Sequence, residues 1–69
     1  MSEVVLINRM KEVRAELGLT QAELAARIGV SRKTINTVEN GVFVPSTILA
    51  LKLAAALGSK VEDLFALPG

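Results

Sequence analysis

The sequence predicts an all-α fold, five short helices in one compact domain spanning residues 1–69. Three observations predict it. Apolar residues recur at helical spacing within each segment. Gly18, Gly29, Gly41 and Gly58 fall between the segments, where helices end. Thr20, Ser31, Ser46 and Ser59 stand where N-caps are needed. No strand is expected.

The first helix is expected over 6–17. Leu6, Met10, Val13 and Leu17 fall at i, i+4, i+7 and i+11, one apolar stripe, with Arg9, Lys11, Glu12 and Glu16 outside it. The second, over 21–28, opens on Thr20-Gln21-Ala22-Glu23, a capping box, and buries Leu24, Ala25 and Ile28. Ser31 caps the third, over 32–39, with Ile35 and Val38 inward. Ser46 caps the fourth, over 47–57. Ser59-Lys60-Val61-Glu62 reads as a second capping box and opens the fifth, over 61–67.

Composition narrows the function. The chain has 69 residues, 51% hydrophobic and 22% charged, which is globular composition. A domain this small buries only about 60% of its unfolded surface. It has no cysteine for a disulfide and no histidine for a zinc site. Its seven carboxylates are scattered, so no metal or other cofactor is expected. Packing and self-association are left to stabilise it. Without His, Cys, Tyr or Trp, acid–base or nucleophilic catalysis has no candidate constellation, and an enzyme is not expected. The net charge of +1 does not imply non-specific nucleic-acid binding through bulk charge but leaves room for a local basic face. The longest apolar run, Ala54-Ala55-Ala56-Leu57, is too short to span a bilayer. With no signal peptide either, a cytoplasmic location is expected.

The informative unit runs from Gln21 to Asn40. Two short helices crossing steeply over a short turn bring their backbones close. Ala25 is small enough for the crossing, and Gly29 supplies the positive φ of the turn. Leu24, Ile28, Val30, Ile35 and Val38 fill the wedge. If Ile35 and Val38 point inward, Arg32, Lys33, Asn36 and Thr37 point outward. None of those four is acidic and two are cationic, whereas a solvated face usually mixes signs. Arg and Lys reach guanine edges or phosphates, Asn pairs with adenine, and the Thr methyl touches thymine.

This spacing is that of a helix-turn-helix, and residues 20–41 closely resemble the Cro/phage-repressor (XRE-like) DNA-binding domains. So do Pro45-Ser46, Leu49-Ala50-Leu51-Lys52-Leu53-Ala54, Ala56-Leu57-Gly58 and Val61-Glu62-Asp63-Leu64-Phe65. The resemblance covers residues 6–67 and implies a lambda-repressor-like fold acting on double-stranded DNA. It implies that Ser31, Arg32, Lys33, Asn36 and Thr37 face the major groove. Thr20 and Gln21 would grip a phosphate from the N-terminus of the second helix, and Asn40 would hold the DNA backbone beyond the third. It further implies that Arg14 and Glu39 pair across the core in a structural role.

The departures from the family are also informative. The loop after Gly41 reads Val42-Phe43-Val44, where relatives carry a cation, an aromatic and a polar residue; only Phe43 fits. Ile48 and Ala55 stand where charges are usual and form an apolar row with Leu51. In the family this region lies near the dimer axis, so Phe43, Ile48, Leu51 and Ala55 are the expected homodimer interface. The leading expectation is a dimeric, sequence-specific transcriptional regulator of a near-palindromic operator. The alternative is a protein-interaction module, such as an antitoxin that holds a protein partner through the fourth helix. The chain stops just after the fifth helix, so no sensor domain is expected unless one follows Gly69.

Overall fold

A computed structural model describes residues 6–42 and 44–68. Its order is β1 (Ile7–Asn8), α1 (Met10–Glu16), α2 (Gln21–Ile28), α3 (Arg32–Glu39), α4 (Thr47–Ala56), α5 (Val61–Leu64) and β2 (Phe65–Ala66). The fold is mostly helical, with five helices. It also contains a two-stranded antiparallel pairing of β1 with β2, Ile7 opposite Ala66 and Asn8 opposite Phe65.

The five-helix fold is as expected; that pairing adds two short strands where none was expected and moves two helix boundaries. The first helix begins at Met10 rather than Leu6, and the fifth ends at Leu64 rather than Leu67. At one end, the Arg9 amide bonds to the Leu64 carbonyl at 2.8 Å. Asn8 Oδ1 accepts the Met10 amide at 3.0 Å, and Asn8 Nδ2 donates to the Val38 carbonyl at 2.7 Å. The Asn8 side chain thus starts α1 and ties it to the end of α3. At the other end, Phe65 turns extended, at φ −131° and ψ 137°, to join the ladder. Long-range pairing outweighs the local helical periodicity of Leu6 and Leu67.

Two further details differ from the sequence reading. Leu17 is 52% exposed, while Leu19 is in the core. α1 ends at Glu16, and the turn through Gly18 carries Leu19 back until its amide meets the Arg14 carbonyl at 3.1 Å. α5 takes Lys60, not Ser59, as its N-cap position. Asp63 Oδ2 accepts the Lys60 amide at 3.2 Å, and the Ser59 hydroxyl instead donates to the Leu57 carbonyl at 3.3 Å. The shorter carboxylate sets the register.

The other helix starts follow local chemistry. Thr20 and Glu23 complete a reciprocal capping box, with bonds of 3.0 and 2.9 Å. Ser31 accepts the Thr34 amide at 3.2 Å and Ser46 the Leu49 amide at 3.1 Å. The core joins all five helices: Met10, Leu24, Ile35, Val38, Leu53 and Leu64 are completely buried. Burying each such side chain contributes roughly 1.5–3 kcal/mol before entropy is counted.

Candidate nucleic-acid interface

Placement of the site starts at the crossing of α2 and α3. Ala25 is buried there, and Gly29 ends α2 in the left-handed conformation, φ 73° and ψ 34°. The Val30 amide bonds back to the Ala25 carbonyl at 3.0 Å, which closes the turn before Ser31 begins α3. Ile35 and Val38 fix the inner side of α3 in the core.

The opposite side of α3 holds the expected contact residues. Ser31, Arg32 and Lys33 are exposed, and Asn36 and Thr37 are half-buried. No acidic residue lies in the first turn of α3, so Arg32 and Lys33 add to the positive end of its dipole. Ser31 is committed to its cap and lies 3.0 Å from the Thr34 hydroxyl. The Thr37 hydroxyl donates to the Thr34 carbonyl at 2.9 Å. Thr20 and Asn40 are exposed, and Gln21 is half-buried.

The carboxylate of α3 is neutralised internally. Arg14 Nε and Nη2 donate to Glu39 Oε2 and Oε1 at 2.6 and 3.1 Å. Arg14 Nη1 donates to the Leu19 carbonyl at 2.8 Å. The Glu39 side chain is only 2% exposed. Its hydrogen bond raises the Arg14 pKa further, against the opposing cost of burial.

Sequence reasoning missed the next link. Gln21 Nε2 also donates to Glu39 Oε1, at 3.0 Å. Asn36 Nδ2 lies 3.5 Å from Gln21 Oε1, and Asn40 Nδ2 donates to Asn36 Oδ1 at 3.1 Å. Three expected DNA contacts therefore share one polar chain with the ion pair. Asn8 was missed too; an Asn two residues before a buried Met could have signalled its capping turn.

Ile48 is 68% and Leu51 57% exposed, with Val42 and Val44 also exposed. Leu51 borders an apolar groove with Val44, Pro45, Val61 and Phe65. Ala55 is exposed but borders another depression, beside Arg27 and Lys52. Phe43 lies outside the described residues.

The helix-turn-helix family pattern matches residues 10–64, from the first residue of α1 to the last of α5. The chain belongs to this family. Among helix-turn-helix relatives, an HTH-type transcriptional regulator of Methanothermobacter thermautotrophicus is 54% identical over 59 residues, 84% of this chain and 86% of the relative. The HTH-type transcriptional regulator YgzD of Bacillus subtilis is 45% identical over 58 residues, 84% and 88% of the two chains. The restriction-modification controller protein C.AhdI of Aeromonas hydrophila superposes with a TM-score of 0.78 at 38% identity, covering 83% of this chain and 86% of its own. A shorter similarity, 49% over 39 residues, joins 56% of this chain to 44% of the antitoxin HipB of Escherichia coli.

Proposed function

We propose that this helix-turn-helix regulator binds double-stranded DNA sequence-specifically, with α3 in the major groove. One observation carries the reading. The outer side of α3 offers Arg32, Lys33, Asn36 and Thr37, while the helix's carboxylate is turned inward onto Arg14. A cationic face beside amide and hydroxyl groups suits phosphates and base edges together. Thr20 and Gln21 at the start of α2 grip a flanking phosphate, and Asn40 holds the backbone beyond α3. The work is binding rather than catalysis. Among the described residues no helix is long and apolar enough to cross a membrane.

The protein works as a homodimer. The exposed apolar residues Ile48 and Leu51 support this. Two-fold symmetry lets such a patch cover its own copy. It also sets two copies of α3 about 34 Å apart, one turn of DNA, so the operator is a near-palindrome. Selection from a randomised duplex pool tests the reading. An enriched inverted repeat is expected; recovery of unrelated sequences sinks it. The partial similarity to an antitoxin favours a second reading, in which the same apolar surface holds a different protein.

A further inference from the structure

We propose that Gln21 is a positioning residue, which transmits the charge of Glu39 to Asn36 and so fixes the donor–acceptor order that Asn36 presents to DNA. The inference rests on the reading of α3 as the recognition helix. It starts from a constraint at Glu39. A carboxylate can only accept hydrogen bonds. Glu39 Oε2 accepts from Arg14, and Oε1 accepts from Arg14 and from Gln21 at 3.0 Å. Gln21 must therefore turn its amide nitrogen to Glu39 and its carbonyl away.

That carbonyl lies 3.5 Å from the Asn36 side chain, a long contact that only a donor can occupy favourably. Asn36 must turn its nitrogen toward Gln21. Its carbonyl oxygen then accepts from Asn40 at 3.1 Å. One buried charge thus sets the orientation of three amides in succession. Each amide carries two donors and two acceptor sites, so the chain uses only half of what Asn36 offers. The remaining N–H and lone pair stay on fixed sides.

Adenine presents an acceptor and a donor side by side in the major groove, and a bidentate amide must match that order. An Asn36 side chain held by Gln21 meets it one way round. Without the Gln21 carbonyl, only the exposed Asn40 amide, which can itself turn over, holds Asn36, and the reversed order becomes readable. Base preference at the Asn36 step therefore depends on residue 21, even where residue 21 touches only phosphate.

Gln21→Lys separates the two roles. It keeps a donor for Glu39 and for phosphate, adds a positive charge, and removes the carbonyl that faces Asn36. Gln21→Met removes both the donor and the carbonyl. Gln21 is half-exposed on the first residue of α2, so both variants should fold, and thermal melts would show it. Duplex selection would be run on the unsubstituted protein, both variants and Asn36→Ala. Gln21→Lys should lose preference roughly tenfold at the base pairs that Asn36→Ala relaxes, relative to the other pairs of the site and whatever its overall affinity. Gln21→Met should relax the same pairs and also bind every site more weakly. An unchanged Gln21→Lys profile overturns the proposal and leaves Gln21 as a phosphate contact. A change confined to other base pairs overturns it equally. If the unsubstituted protein itself selects no site, the recognition-helix reading fails, and this proposal with it.

Discussion

Arg14 and Glu39, 25 residues apart, form a two-pronged ion pair that joins α1 to the end of α3. Both side chains are largely withdrawn from water. Loss of one partner strands the other, at a cost of roughly 3–5 kcal/mol. Arg14→Met should therefore lower the urea midpoint steeply, a large fraction of the stability of so small a domain. A midpoint unchanged within error would mean that the pair contributes nothing to folding.

Arg32→Ala should weaken the preferred duplex by about 1–3 kcal/mol while random duplex loses less. Competition binding at two salt concentrations measures both. Equal losses on the two duplexes would make Arg32 a phosphate contact, not a base reader.

If the proposed homodimer forms through this surface, Ile48→Lys and Leu51→Lys should abolish self-association and the cooperativity of DNA binding, because each places a cation in the proposed contact. Sedimentation of the free protein and of the complex reads the outcome. One chain per duplex in the unsubstituted protein would refute the dimer and assign the surface to another partner.

Glu23 gives a pH dependence of known sign. The Thr20 backbone amide, then the Thr20 side chain, and to a smaller degree the charge of Arg27 hold its carboxyl below the ordinary value. A folded-state value below the unfolded one contributes stability above the unfolded value. That contribution is lost as pH falls through the folded one. Glu23→Gln should flatten the acid limb of melting temperature against pH. Parallel curves for the two proteins would remove the capping box from acid sensitivity.

Gly29→Ala should destabilise by about 1–2 kcal/mol through backbone conformation alone. A Cβ there meets nothing within 4 Å, yet φ stays at +73°. Melting should fall while the selected duplex sequence stays the same. An altered sequence would show that the turn sets the aim of α3.

What was legible in the sequence was local. Thr20 with Glu23, Ser31 with Thr34 and Ser46 with Leu49 act at a fixed offset of three residues, so composition and spacing reveal them. The inward stripe of α3 follows from helical period alone. Ile7 and Ala66 gave no such signal, because each is extended only through its partner at the far end of the chain. Leu17 lies outside the core and Leu19 inside it because the turn, not the period, decides which leucine returns to the core. The Gln21 bond to Glu39 was hidden for a related reason. Polar contacts between helices have no repeat to read, and the resemblance that paired Arg14 with Glu39 did not include a third partner.

The ladder of Ile7 with Ala66 brings the start and the finish of the described chain to one corner, with opposed Cα atoms about 5 Å apart. The backbone is therefore nearly a closed ring. A short linker joining residues 68 and 6 would cost little conformational freedom, and new ends could be opened at the exposed turn after Leu17. A circularly permuted protein of this kind should keep the α2–α3 unit intact. Labels placed at residues 7 and 66 would sit at this same corner, so they would report one distance to bound DNA rather than two.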